Sequence, residues 1–413
     1  MAELLFSSLN RVEIPFVKVT FGDPEGVHYT FGIKNTKDQF GIPNFVKSLQ
    51  VKKINGTVNT YTLQMDYPIT DSTDPNFMEK VFSSISQSRK IIFSYGDLAT
   101  PTFIFKEEQA VVTKIATSFS GSSSVISYTI TATSSGYLAQ GGSYTFKNRY
   151  AQPSSVIIEL LKQNYGGITD IFTGMTRINN LLIKGIIPQD DQKVHIEAQT
   201  NVSILEYIKY LVSCMIPNTA INAQSKQNAF YTINIIDDTT GDFGGPYFKI
   251  SKVSKAETNN FKTETYEIDI GYPSQNIVTD FSTSDNQGVS MLYEYDEKIN
   301  PNEYVERIND DGTIDSIYSP SNIKNTSYYT STANSKIWYT KMTQFPITAS
   351  ITLKGLLRPA ILMTHVKINV LYFGRKHISS GLYLITSQTD TVDSNGYKTT
   401  LELQKISGDD EYE

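Results

Sequence analysis

The sequence predicts a mainly β fold with an α+β middle region, organised around two similar small β-barrels. Three observations carry this. Tyr 26 and Phe 21 against Trp 1 in 413 residues, with abundant Thr, Ser, Asn and Ile, make a strand-favouring composition. Two long hairpins, near 109–133 and 381–406, alternate apolar and polar residues with period two. Between them the hydrophobic spacing switches to three and four, as in helices.

Taken in order, residues 12–21 read as a strand. Ile14-Pro15 places a proline at a strand start or on an edge, where its missing N–H costs nothing. Residues 45–67 hold two strands with an Asn55-Gly56 turn. On the second, Asn59, Tyr61, Leu63 and Met65 form the set facing a core. Asp74-Pro75 reads as a helix start, followed by Phe77, Val81 and Ile85 as one apolar stripe. Strand text returns at 91–95. The first long hairpin turns at Gly121 to Ser124 and returns through Ile126, Tyr128, Ile130 and Ala132.

In the middle, Ser154 or Ser155 reads as the cap of a short helix through Leu161, closing near Gly166-Gly167. Ser203 and Glu206 form a capping box ahead of Leu205, Tyr207, Ile208, Leu211, Val212 and Met215, and Pro217 stops that helix. Strands follow at 228–236 and 247–254. Residues 285–332 are polar, tyrosine-rich and poorly periodic, which reads as a surface insertion. Trp338, Met342 and Phe345 share a helical spacing. In the last hairpin, Tyr397, Thr399, Leu401 and Leu403 face a core, and Asn395-Gly396 suggests a type I′ turn. On its first strand Gln388 and Asp390 intrude on the dry face set by Leu382, Leu384 and Val392, which calls for a bulge or twist. The two hairpins share a layout, a long strand, a polar turn and a Tyr-Thr-rich return.

This organisation divides the chain into a first barrel at 1–150, a mixed middle at 151–268, a discontinuous second barrel at 269–295 and 346–407, a polar insertion with lead-in helix at 296–345, and an acidic tail at 408–413. One cysteine, Cys214, excludes an internal disulfide framework and reads as a small buried hydrophobe. Nothing approaches 18 uninterrupted apolar residues, and the first ten residues do not read as a signal peptide, so assembly in a cytoplasm without a membrane segment is expected. A net charge of −6 does not suit a dedicated nucleic-acid binder.

The search for chemistry nominates no catalytic, cofactor-binding or metal residue. Phosphate-binding glycine loops, zinc-protease pairs and nucleophile elbows are missing from the text. The Gly241 to Gly245 stretch and the Asp310-Asp311-Gly312 stretch with Asp315 read as turns. Asp190-Asp191 and Asp237-Asp238 supply carboxyls, but sequence neighbours point apart and glycosidase acids must face each other across a cleft. They read as solvated loop tips. His195, His365 and His377 read as packed or exposed histidines, and Tyr328, Tyr329 and Tyr339 as surface packing.

Residues 346–406 resemble the C-terminal barrel of the baseplate hub proteins of contractile-tailed phages, the family of the T-even hub and the late-control tail proteins. The matching features are Ile347 to Leu353, Gly355 with Arg358-Pro359, Val366 to Val370, Gly381 to Ile385 and Gly396 to Thr399. Asn276 to Ser282 resembles the strand by which that family enters its second barrel, and the insertion near 285–332 departs from the pattern. The resemblance implies a non-enzymatic virion protein. A homotrimer would offer six tail-tube-like barrels to the hexameric tail tube protein and threefold symmetry to a central spike protein. Other baseplate proteins and the tape measure protein would be neighbours, with DNA in transit only. A closed ring would pair sheet edges between neighbours, and an acidic balance would suit a channel that must not hold phosphates. The alternative is a tail-associated glycan-binding or glycan-degrading protein.

Overall fold

In the computed structural model one continuous 14-stranded sheet forms two rolls with separate cores, and a mixed unit lies between them in the chain. It describes residues 15–22, 28–33, 42–69, 76, 90–97, 104–122, 124–134, 141–165, 168–172, 175–179, 184–215, 229–239, 247–254, 264–270, 278–285, 305–308, 314–317, 347–354, 362–363, 365–372 and 375–407. The first roll comprises β1 (Pro15–Gly22), β2 (His28–Gly32), β3 (Val46–Ile54), β4 (Thr60–Pro68), β5 (Lys90–Asp97), β6 (Ile104–Ser120) and β7 (Val125–Ser134). Its order is β3-β4-β7-β6-β5-β1-β2. The Gly32 N–H donates to the Pro43 carbonyl at 2.8 Å, which ties β2 back toward β3. Alternation fills the interior: Leu49 and Val51, Tyr61 and Leu63, Phe93 and Tyr95, Ile130 and Ala132 are all buried.

The middle unit contains β8 (Tyr144–Phe146), β9 (Arg149–Ala151), α1 (Pro153–Tyr165), β10 (Ile168–Phe172), β11 (Met175–Asn179), β12 (Lys184–Pro188), β13 (Val194–Ile196), β14 (Gln199–Val202), α2 (Ile204–Cys214), β15 (Ala229–Ile236) and β16 (Tyr247–Ser254). A five-stranded sheet runs β10-β11-β12-β16-β15. The apolar face of α2 shares a core with Val156, Ile157 and Leu161 of α1 and with Tyr231, Ile233 and Ile235 of β15. Ser203 caps α2 by accepting the Glu206 N–H at 3.2 Å, whereas the Glu206 carboxylate pairs with Lys209 at 2.8 Å instead of closing the box. Cys214 is buried. α1 departs from its expected cap. It starts at Pro153, with the Gln152 carbonyl accepting the Val156 N–H, and Ser154 lies in its first turn.

The second roll is built from β17 (Glu264–Asp269), β18 (Val278–Asp285), β21 (Ile347–Lys354), β22 (His365–Tyr372), β23 (Arg375–Lys376), β24 (Gly381–Asp393) and β25 (Gly396–Ser407), with the short hairpin β19 (Val305–Ile308) and β20 (Ile314–Ile317) between β18 and β21. Asp310 to Gly312, the stretch expected to turn, lies outside the described residues. The roll's order is β18-β21-β25-β24, with β22 against β24 and β17 against β22. β17 straddles the end of the 151–268 segment and pairs with β22 in parallel.

The two rolls repeat in topology and in register. β1, β3, β4, β5, β6 and β7 correspond in chain order to β17, β18, β21, β22, β24 and β25, and the neighbours in each sheet correspond too. The hairpin β6–β7 slips register between Val112 and Lys114, and β24–β25 slips between Ile385 and Ser387. From bulge to turn each strand then runs seven residues, Lys114 to Ser120 and Ser387 to Asp393. The pair β3–β4 slips between Val46 and Ser48, and β18–β21 slips at the matching place, between Val278 and Asp280. A bulge costs a ladder bond and re-aims every side chain beyond it, so coincidence at two of them marks one architecture used twice. The rolls differ in β2 and β23, which have no counterparts among the described residues, in a further slip of β24–β25 between Leu382 and Tyr383, and in β1–β5, which is antiparallel where β17–β22 is parallel.

The last turn also departs from expectation. Asp393 pairs with Gly396, so Ser394 and Asn395 are its central residues, and of this set only Gly396, at φ 154°, has positive φ. It is not a type I′ turn. The Asp393 carboxylate organises it by accepting the Asn395 and Gly396 N–H groups at 2.7 and 3.2 Å. The helix expected after Asp74-Pro75, that at Trp338 to Phe345, Gly241 to Gly245, the close of α1 at Gly166-Gly167, Pro217 and Tyr328, Tyr329 and Tyr339 lie outside the described residues.

Candidate functional site

The three units meet at a cluster of polar side chains sealed from solvent. β24 leaves β22 after Leu384, and beyond its bulge, from Ser387 to Asp393, it pairs with β3 of the first roll. Gln388 and Asp390, which intrude on a dry face in the sequence, therefore land beside Lys53 and Val51. From the third side, the end of β15 docks on β6: the Gln109 N–H donates to the Asp237 carbonyl at 3.0 Å, and the Thr239 N–H to the Glu107 carbonyl at 3.0 Å. Nearby the Gly56 N–H donates to the Ile233 carbonyl at 3.0 Å. Gly56 takes φ +71° there, a conformation glycine adopts without a Cβ penalty.

Inside this junction Lys53 pairs with Glu108. Tyr95 donates to Glu108 Oε1 at 3.0 Å. The Tyr61 hydroxyl lies 2.6 Å from Glu108 Oε2 and 2.9 Å from Asp237 Oδ2. Asn59 Nδ2 donates to Asp237 Oδ2 at 2.7 Å and to the Ile235 carbonyl at 3.0 Å. On the far side Asp390 Oδ1 accepts from Thr399 at 2.6 Å and Tyr397 at 3.2 Å, and Oδ2 accepts from Gln388 Nε2 at 2.9 Å. Tyr397 also meets Tyr95 edge to face, with centroids 6.3 Å apart. Glu108, Asp237 and Asp390 are at most 3% exposed.

Three buried carboxyls around one buried ammonium cannot all be ionised cheaply. Burial pushes Asp237 up to about 7, with the nearby Glu108 charge adding to it and the Asn59 and Tyr61 hydrogen bonds acting against it. The geometry agrees. Tyr61 owns one hydrogen and faces two carboxyls, so when it donates to Glu108 the second short contact needs a proton from Asp237. Asp237 Oδ1, moreover, has no hydrogen-bond partner among the described residues, which suits a neutral carboxyl far better than an ionised one. Burial alone would lower Lys53, but the Glu108 and Asp390 charges outweigh it and hold the ammonium above its usual range. Tyr61 is raised by burial and by Asp237 and Glu108, and Tyr95 by burial and by Glu108 and Asp390, so both stay protonated donors.

Such a cluster can fasten three units in one arrangement. Its carboxyls Glu108, Asp237 and Asp390 face protein, and the Lys53 side chain is 12% exposed.

The expectation of solvated loop tips therefore needs correction. Asp237 is buried in this cluster. Asp191 is buried as well, accepting the Ser154 N–H at 3.0 Å, the Ser154 hydroxyl at 2.5 Å and Gln152 Nε2 at 2.9 Å, and so it caps α1 from a distant loop. Burial raises Asp191 against the opposing pull of those hydrogen bonds. Asp190 keeps to the reading better: it is half-exposed and pairs with Lys252 and Tyr231. His365 is largely packed, and burial lowers it to about 4. His377 Nδ1 lies 2.7 Å from the Ser379 hydroxyl, and His195 is half-buried in β13. Among the described residues no group of three or more His, Cys, Asp or Glu could hold a metal, and no helix is long and apolar enough to cross a membrane. The signal for the cluster in the sequence was the pair Gln388 and Asp390 on a dry strand face. No local signal marks Glu108, whose partners come from three distant segments.

No protein-family model and no curated protein sequence matches the chain. Solved structures do match. One is a tail protein from Neisseria meningitidis MC58, 8% identical, over 95% of this chain and 96% of that one, with a TM-score of 0.49. A second is the 43 kDa tail protein of prophage MuSo2 from Shewanella oneidensis, 12% identical, over 95% and 99%, with a TM-score of 0.47. A third is an E. coli component of the type VI secretion system, described as structurally similar to the T4 tail proteins gp27 and gp5, 9% identical over 88% and 74%, with a TM-score of 0.44.

Proposed function

We propose that this chain is a structural hub of a phage-type tail, which joins parts of different symmetry and performs no turnover. The observation that carries the reading is the repeated roll, with the same strand order and bulges at matching places. One polypeptide with two equivalent rolls offers a surrounding ring twice as many equivalent binding sites as it has copies. Three copies offer six, enough for a hexameric tube, while keeping threefold symmetry for a spike. The sequence resemblance to baseplate hubs supports this assignment of partners: tube protein, central spike, other baseplate proteins and tape measure.

The buried junction fits such a role. A hub must hold its two rolls in one relative orientation while load passes between tube and spike. A strand shared between rolls, backed by a sealed ionic cluster, resists hinge motion far better than a linker. The test is stoichiometry. Light scattering on purified chain with tube and spike partners should give three copies per complex, and electron microscopy of the particle should place it between tube and spike. A chain that stays monomeric with those partners and cleaves peptidoglycan or polysaccharide would overturn the reading.

A further inference from the structure

The junction contains two joints of different kinds. The rolls are spliced by the backbone ladder of β24 on β3, Ser387 to Asp393 against Ile54 to Ser48, with Val392 and Leu49 fully buried on it. Backbone pairing and apolar burial carry that splice. The middle unit is held otherwise. Among the described residues the hydrogen bonds between the β15 segment and the first roll lie along one seam, from Ile233 to Thr239. Gly56 donates to the Ile233 carbonyl, Asn59 to the Ile235 carbonyl, Gln109 to the Asp237 carbonyl and Thr239 to the Glu107 carbonyl. The Thr239 hydroxyl adds a bond to Glu107 Oε1 at 2.7 Å.

Asp237 sits within this seam, and its carboxyl is the weak point. Asn59 Nδ2 and the Tyr61 hydroxyl both contact Oδ2, while Oδ1 is buried without a partner. Around it stand Lys53 of β3, Tyr61 of β4, Tyr95 of β5, Glu107 and Glu108 of β6, Asp390 of β24 and Tyr397 of β25, with Asp238 next in the chain and bridged to Glu108. Lys53 is the cation of this set, and it pairs with Glu108. The Tyr61 hydrogen serves Glu108 or Asp237 but not both. The arrangement is therefore complete with a proton on Asp237 and one donor short without it. A buried carboxylate that lacks a donor and faces a second carboxylate is strongly disfavoured.

We infer that the end of β15 is a proton-operated clasp: it holds the middle unit on the first roll while Asp237 carries a proton beside Tyr61 and Glu108, and it opens far more readily once that proton is lost, with the two rolls still spliced. Burial and the Glu108 charge, which push Asp237 up to about 7, place the change near neutral pH. An open seam hydrates the carboxyl and returns it to about 3.9, so opening releases a proton. The raised carboxyl thus favours the closed seam at low pH and ceases to as pH rises. Opening should grow about tenfold per pH unit between those values, about a thousandfold in all, and level off above about pH 7. The inference needs only the cluster and the seam, and it stands apart from the hub reading. In a hub it would let the middle unit yield while the rolls keep their orientation.

The test is amide hydrogen exchange on the full-length chain, resolved to single residues and corrected for intrinsic rate. Protection of Gly56, Gln109 and Thr239 should fall about tenfold per pH unit from pH 5 to 7 and flatten above. It should stay at least tenfold below that of 49–51 and 389–392, the splice amides, at every pH. In Asp237→Asn the seam's protection should not change with pH. Thr239→Ala, which loses the hydroxyl bond to Glu107 but keeps every carboxyl, should lower it severalfold throughout with the slope unchanged, and this variant serves if the asparagine variant does not fold. Equal protection at seam and splice would mean that the seam opens only with the whole chain, and overturns the clasp. So does a flat wild-type profile, a slope that survives in Asp237→Asn, or a fall confined to Gln109 and Thr239 with Gly56 unmoved. None of these outcomes touches the stoichiometry that tests the hub.

Discussion

Asp237→Asn isolates the strained part of the junction. Asp237 is 2% exposed and is held near 7 in the folded chain, against about 3.9 when unfolded. Between those values the folded state carries a proton that the unfolded state has lost. Unfolding free energy therefore falls as pH rises, by up to about 1.4 kcal/mol per pH unit. The full contribution is present below about pH 4 and is gone above about pH 7, and over that window it sums to roughly 4 kcal/mol. Asparagine has nearly the same shape, can keep an acceptor toward Asn59 and has no charge to bury. The variant should lack this segment of the pH profile. Its absolute stability should shift by about 1–3 kcal/mol in either direction, since the amide hydrogens need partners. The assay is urea unfolding at half-unit steps from pH 4.5 to 8, with wild type and variant in parallel. If the difference between the two curves stays flat with pH, Asp237 does not titrate in the folded chain and the proton assigned between it and Tyr61 is not there.

Removing the cation acts in the opposite sense. Lys53→Met strands Glu108 and Asp390 without their ammonium and should cost about 3–5 kcal/mol, read as a lower urea midpoint at pH 8. Asp191→Ala removes the acceptor of three hydrogen bonds at the start of α1 and should cost about 1–3 kcal/mol, with amide exchange rising first in 154–157. Gly56→Ala meets only ordinary contacts, Lys209 Cε at 3.8 Å and Ile233 Cγ2 at 4.0 Å, so its loss of roughly 1–2 kcal/mol should come from φ +71° alone, and Gly56→Asn should lose less.

Periodicity alone located β3, β4, β7, β15, β16, α2 and the last hairpin. Alternation and helical spacing follow from which face must be dry, and that demand is local. The N-cap at Ser203 and the strand start at Pro15 were readable for the same reason, since their partners lie within three residues or in the ring itself, whereas the rest of the capping box did not form. Turn chemistry was less legible. Asn395-Gly396 looked like a two-residue turn until strand pairing moved the turn back by one residue, and register belongs to the partner strand.

What the sequence determined by itself was two β-rich ends of similar layout, a helical middle and an odd pair, Gln388 and Asp390, on a face that should be apolar. Only the tertiary structure decided that this pair has a reason. Asp237 and Asp191 look like any acidic loop residues, because burial by a segment over a hundred residues away, or even forty, leaves no mark on local composition. Glu108 is one more polar residue on a strand until Lys53, Tyr61 and Tyr95 converge on it from β3, β4 and β5. Charge is visible in a sequence, but desolvation is a property of what packs on top, and that is decided when the rolls close and dock.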